Sequence, residues 1–176
     1  MQFMEKPWLL AMDLDGTVWD NLNISGVRPP YRRISDNEIT NGDVRIKLLD
    51  DIIDFMEWCK NNGAIIISLS WNIKENALMA LREFNIDRFF DYHATDYTPE
   101  KGRRLLEALK YLGDRGIKID RSRIVYIDDR NIHMDEIKKL VGDVIFIHMW
   151  KDVDNYKKAK EIIYKNIIQS KSSRGA

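Results

Sequence analysis

The stretch Leu9-Leu10-Ala11-Met12-Asp13-Leu14-Asp15-Gly16-Thr17 decides how the rest of the chain is read. Its first half is a continuous apolar run. Its second half stops that run with two carboxylates, a glycine and a hydroxyl. A short apolar run closed by turn residues predicts a buried strand. Side chains two apart on a strand point the same way, so Asp13 and Asp15 can face one small volume. Two carboxylates in one volume repel each other unless a cation or a shared proton relieves them. A hard divalent ion such as Mg²⁺, which prefers oxygen ligands, meets that need. The competing reading is a solvated strand-to-loop turn, where Asp and Gly are ordinary residues.

Outward from this stretch, strand-like apolar runs recur at Ala64–Leu69, Arg123–Ile127 and Val144–Ile147, with a weaker one near Phe89–His93. Helical patterns fall between them, near Ile46–Asn61, Ile73–Phe84, Glu100–Asp114 and Asn131–Leu140, and a last one near Val153–Ile168. Strands alternating with helices predict a parallel sheet covered on both faces. The runs Ile65-Ile66-Ile67 and Ile124-Val125-Tyr126-Ile127 are unbroken, as burial on both faces requires. The expectation is an α/β, three-layer, Rossmann-like fold of about five parallel strands. One segment, 20–43, breaks the alternation with Gly26, Pro29-Pro30, Arg28, Arg32-Arg33 and Gly42. Its length and position directly after the acidic strand end predict a flap or small hairpin over a site, with no large cap domain. The reading is a single domain over 1–169, and the small polar stretch 170–176 is expected to fray.

Composition narrows the function. At 176 residues the chain suits one well-cored domain, and 44% hydrophobic with 32% charged residues is globular composition. Lys+Arg and Asp+Glu balance at 28 each, so charge favours neither a nucleic-acid nor a membrane partner. No apolar stretch approaches the ~18 residues of a membrane span, so a cytoplasmic location is expected. The sole cysteine, Cys59, excludes an intrachain disulfide and a Cys-based zinc cluster. His93, His133 and His148 lack zinc-ligand spacing.

Further chemistry collects at predicted strand ends. Ser70 follows the run Ala64–Leu69, with Ser68 as a rival hydroxyl, and Asp128-Asp129 closes the run Arg123–Ile127. Ligands of open α/β sheets bind outside the carboxyl ends of strands where strand order reverses. If the first strand neighbours the 123–127 strand there, Asp13, Asp15, Asp128 and Asp129 converge and call for a cation. The chain has no Gly-x-x-x-x-Gly-Lys-Ser/Thr loop, no Gly-x-Gly-x-x-Gly and no Gly-x-Ser-x-Gly elbow. A carboxylate can attack phosphorus to form an aspartyl-phosphate, and a second can move the proton of the leaving alkoxide and of the water. A cation, a lysine and hydroxyl donors can meet the negative charge of the phosphoryl group.

On these residues the chain resembles the haloacid dehalogenase superfamily of phosphatases, and within it the nearly capless magnesium-dependent phosphatase-1 branch. The resemblance runs over roughly residues 8–150. Asp13-Leu14-Asp15-Gly16-Thr17-Val18-Trp19 matches the first motif, Ser70 the second, Lys101 the third, and Asp128-Asp129 with Arg130-Asn131-Ile132 the fourth. Pro29-Pro30-Tyr31-Arg32-Arg33 resembles the branch's flap. The resemblance implies Asp13 as nucleophile, Asp15 as general acid/base, and Ser70, Trp71, Asn72 and Lys101 as phosphate-binding positions. It also implies Mg²⁺ held by Asp13, the Asp15 carbonyl and one of Asp128 and Asp129, with Asp129 preferred. The branch commonly has Ser-Arg-Thr where this chain has Ser70-Trp71-Asn72, so a phosphate clamp is missing. Arg28, Arg32 or Arg33 are candidates to replace it. Trp19, Trp71 and Trp150 are candidates to rim an aromatic leaving-group pocket.

The expected substrate is a phosphorylated small molecule or a phosphoprotein, phosphotyrosine-like or a sugar phosphate. Two other readings stand beside it. One is a phospho-acceptor domain like a response-regulator receiver, whose acceptor Asp lies in mid-chain rather than on the first strand. The other is a catalytically silent binding module. A dehalogenase is disfavoured because Asp15 supplies the acid/base that a phosphate monoester needs. The sequence leaves the oligomeric state open.

Overall fold

The computed structural model describes residues 6–169, so the frayed tail expected at 170–176 lies outside them. The first strand, β1 (Trp8–Met12), is buried at every residue. Its side chains alternate between two cores: Leu10 and Met12 enter one, Leu9 and Ala11 the other. A strand apolar on both faces must lie inside a sheet covered twice.

Seven further strands follow in chain order. Three short ones, β2 (Arg32–Ser35), β3 (Glu38–Thr40) and β4 (Arg45–Lys47), form their own antiparallel sheet. The remaining four are β5 (Ala64–Trp71), β6 (Tyr92–Asp96), β7 (Ile124–Asp128) and β8 (Ile145–His148). With β1 they make a five-stranded sheet in the order β6-β5-β1-β7-β8, every pair parallel. Chain order reverses at β1, between β5 and β7, which sets the switch point beside Asp13.

Five helices complete the layers. Helices α1 (Ile52–Asn61), α2 (Lys74–Glu83) and α5 (Tyr156–Ile163) supply Phe55, Leu81 and Ile163 to the core on one face. Helices α3 (Lys101–Asp114) and α4 (Met134–Leu140) supply Leu105, Leu112 and Ile137 to the core on the other. Each fully buried Leu or Ile is worth roughly 1.5–3 kcal/mol relative to exposure, so the two cores fix the strand order firmly. Among the described residues, no helix is long and apolar enough to cross a membrane.

The structure corrects four boundaries. The helix expected from Ile46 begins at Ile52, because Arg45-Ile46-Lys47 alternates exposed, buried, exposed and pairs as β4. The flap therefore extends past Asp43 into a three-stranded sheet, with Asn41 Oδ1 accepting the Asp43 and Val44 amides at its last turn. The weak strand near Phe89–His93 lies at Tyr92–Asp96, since Asp87–Phe89 is a 3₁₀ turn. The closing helix runs as α-helix only to Ile163 and continues as a π-helical stretch over Tyr164–Ile168.

Candidate active site

Four strand ends and the start of the flap build a cleft of about 380 Å³ at the switch point. Asp13 and Asp15 enter it from β1, Ser70 and Trp71 from β5, Tyr97 from the end of β6, and Asp129 and Arg130 from the end of β7. Leu22 and Asn23, at the start of the flap, form the near wall. A larger groove of about 510 Å³ lies at the C-terminal half of α3 beside Ile117 and Ile119 and holds none of these carboxylates.

Asp13 is 4% exposed and anchored on three sides. Its amide donates to Ile127 O at 3.0 Å, Thr17 Oγ1 donates to its Oδ2 at 3.0 Å, and Lys101 Nζ donates to its Oδ1 at 2.9 Å. Lys101 is fully buried and also donates to Asp128 Oδ2 at 2.7 Å. It is the first residue of α3. A cation at a helix N-terminus opposes the macrodipole, so the two carboxylates, not helix preference, hold it there. Ser70 and Trp71 line the cleft, whereas Ser68 turns to His93 Nδ1 and Thr95 Oγ1 at 2.9 and 2.8 Å.

Asn72 is not on the cleft wall. Its Nδ2 donates to Ser70 Oγ at 2.6 Å and its Oδ1 accepts from Ser25 Oγ at 2.7 Å, so it orients the serine and ties it to the flap. Asp15 is held through Oδ1, which accepts Trp19 Nε1 at 2.8 Å and the Ile24 amide at 3.2 Å. Burial outweighs these bonds and raises the Asp15 pKa above the ordinary carboxylate value, which favours a carboxyl that keeps its proton.

Asp128 and Asp129 are adjacent but unlike. Both oxygens of Asp128 are engaged: Oδ2 accepts Lys101 and the Tyr126 hydroxyl, and Oδ1 accepts the Arg130 amide at 3.0 Å. Burial works against its charge, but these donors hold its pKa down at about 2. Asp129 is half-buried against Gly16, where φ is +69° and an added Cβ would meet Asp129 Oδ2 at 2.6 Å. Gly16 therefore answers both a backbone demand and a close approach. Its carbonyl accepts Trp150 Nε1 at 2.8 Å, and the Tyr156 hydroxyl donates to Thr17 O. The loop after β1 is thus braced from the chain after β8 and from α5, a support that no sequence motif marks.

Oxygens of Asp13, Asp128 and Asp129 lie within 4.8 Å of one another. Burial, and then the neighbouring carboxylates, push Asp13 well up, and Asp129 is also raised by burial first. One buried lysine leaves the group with too little positive charge. An all-oxygen donor set short of positive charge fits a hard divalent cation such as Mg²⁺.

Other expected positions fall elsewhere. Arg28, Arg32 and Arg33 do not line the cleft; Arg33 is committed to the Ser35 and Asp36 carbonyls. Trp19 is fully buried and Trp150 faces Gly16, so Trp71 is the one tryptophan of the three on the rim, with Tyr97 beside it.

Comparison with solved structures places this architecture. The HAD domain of the effector protein Lem4 from Legionella pneumophila superposes with a TM-score of 0.64 at 13% identity, over 96% of this chain and 99% of that one. A HAD-superfamily hydrolase from Ehrlichia chaffeensis gives 0.62 at 14%, over 94% and 100%. The fold is haloacid dehalogenase-like. The N-terminal part of a Bacteroides fragilis protein, containing a phosphatase domain and complexed with Mg, gives 0.59 at 18%. That match covers 92% of this chain but only 40% of the other, so the chain spans less than half of that relative. No family model matches the sequence, and neither does any curated protein.

His133 packs against one of the cleft's lining residues, Trp71. It is 4% exposed, its ring lies edge-on to that of Trp71 at 6.5 Å, and its Nε2 has no hydrogen-bond partner among the described residues. Burial first, then the nearby Lys101 charge, lower its pKa from 6.5 to about 4. The unfolded chain therefore takes up a proton below about pH 6.5 that the folded chain refuses until about pH 4. This contribution to stability is whole above pH 6.5 and is lost as pH falls through that window. Between pH 7 and 5 the loss should be on the order of 1–2 kcal/mol in urea unfolding, and His133→Gln should remove it. An unchanged pH slope in His133→Gln would show that the folded protein already protonates this imidazole.

Proposed function

We propose that this chain is a Mg²⁺-dependent phosphomonoesterase that works through an aspartyl-phosphate on Asp13, with Asp15 as general acid and base. The observation that carries the reading is the Asp13 carboxylate, pinned by Thr17 and by the buried Lys101 in a cleft that Asp15 and Ser70 share. An Asp13 oxygen attacks phosphorus, the bond from phosphorus to the leaving oxygen breaks, and the Asp15 proton passes to that oxygen. Water then attacks phosphorus, Asp15 takes its proton, and Asp13 is released with inorganic phosphate. Lys101 and the Ser70 hydroxyl meet the phosphoryl oxygens as their charge redistributes.

Asp13, Asp129 and the Asp15 carbonyl would hold Mg²⁺, which supplies charge neutralisation at the phosphoryl group. Asp128 is left to anchor Lys101, because its two oxygens already accept three protein donors, two of them on Oδ2, whereas each Asp13 oxygen accepts only one. The resemblance to the magnesium-dependent phosphatase-1 branch supports a phosphotyrosine-like or sugar phosphate substrate, and Trp71 with Tyr97 favours the planar one. A cytoplasmic setting, in keeping with the free Cys59 thiol, belongs to the same proposal.

The test is hydrolysis of p-nitrophenyl phosphate with Mg²⁺ and with EDTA. Turnover should fall roughly 10²-fold or more when the cation is removed. Stable phosphorylation by acetyl phosphate without turnover would favour the receiver-like reading. Absence of both would leave a silent binding module.

A further inference from the structure

We propose that the substrate's leaving group carries a second anionic group, and that Arg130 binds it at the mouth of the cleft. The inference rests on the phosphatase reading and adds a substrate class to it. Among the described residues lining the cleft, Arg130 is the one cation. Its backbone is pinned by the hydrogen bond that its amide donates to Asp128 Oδ1, while its exposed guanidinium makes no hydrogen bond or ion pair with any described residue. An arginine with a fixed origin and a free head, sharing the cleft with Asp13, Asp15 and Asp129, offsets the repulsion that an acidic mouth would exert on an anionic ligand.

Depth assigns its target. Lys101 and Ser70 are buried at the phosphorus end, at 0% and 1% exposure, whereas Arg130 is exposed. It therefore meets the outer part of the substrate and not the phosphoryl group. Trp71 and Tyr97 stand at the same mouth with 39% and 64% of their surfaces exposed, giving apolar faces for the body of the leaving group. A guanidinium binds a carboxylate through two parallel N–H bonds, a geometry that a planar acid presents well. The substrate class is thus a planar phosphomonoester bearing a carboxylate or similar anion.

The experiment compares phenyl phosphate, 3- and 4-carboxyphenyl phosphate and 4-(aminomethyl)phenyl phosphate on the full chain with Mg²⁺. The better carboxylated isomer should show a KM about tenfold or more below that of the amine. Arg130→Met should bring the two within about twofold, chiefly by raising the KM of the carboxylate, and Arg130→Lys should fall between. A preference that survives Arg130→Met overturns the proposal. So does an equal rise in KM for all four esters, which would place Arg130 on the phosphoryl group. Calorimetric binding of 4-phosphonobenzoate against phenylphosphonate reads the same contact without turnover, and equal affinities also overturn it. Preferential phosphonobenzoate binding with no ester hydrolysed would sink the phosphatase reading and uphold the anion site.

Discussion

Asp13→Asn should lose at least ~10⁴-fold in turnover of an aryl phosphate, because the amide is not a nucleophile toward phosphorus. The substitution keeps shape. Thr17 can still reach the side chain and Lys101 keeps Asp128, so the protein should fold and melt close to the wild type. Asp15→Asn should behave differently. p-Nitrophenolate leaves without a proton, so Asp13 should still be phosphorylated, but the water that frees it has lost its base. Asp15→Asn should therefore show a burst of p-nitrophenol, one equivalent per site, followed by turnover slowed by ~10²–10⁴-fold. Intact-mass measurement should find the phosphoryl group on Asp15→Asn and not on Asp13→Asn. Turnover of Asp13→Asn within tenfold of wild type would sink the nucleophile assignment.

The main sheet is legible in the sequence because its strands are apolar on both faces, which a strand needs only when helices cover it twice. Once β1 lies between β5 and β7, the residues after Met12, Leu69 and Ile127 must meet at the carboxyl ends. What stayed hidden has physical reasons. β6 reads only as a weak strand, set too early in the chain, because its half-buried His93 and buried Thr95 are satisfied across the sheet by Ser68, a partner invisible in sequence. The small sheet hides because Ile39 and Ile46 are single apolar residues in three-residue strands. Tyr126 looks like core, and its ring is core; only the hydroxyl reaches Asp128. Arg130 and Tyr97 sit in exposed connections where no periodicity marks a residue for the cleft.

Lys101→Met tests what holds the cleft together. Methionine keeps the length and removes the charge, leaving Asp13 and Asp128 facing each other in a buried space. Breaking a buried pair by removing one partner typically costs about 3–5 kcal/mol, and that loss is expected in urea unfolding of EDTA-treated protein. Activity should fall by ~10²–10³-fold, since a fixed donor to the phosphoryl oxygens is gone. Affinity for Mg²⁺ should rise, because Lys101 and the cation answer the same negative charge. The rise can be read as a larger gain in melting temperature on adding Mg²⁺ than the wild type shows. Adding Asp13→Asn to Lys101→Met removes one of the stranded carboxylates, so the double variant should be more stable than Lys101→Met alone. A double variant less stable than either single one would mean that Lys101 contributes packing rather than charge. A loss below about 1 kcal/mol in Lys101→Met would mean that the two carboxylates shed their charge by taking up protons rather than needing the lysine.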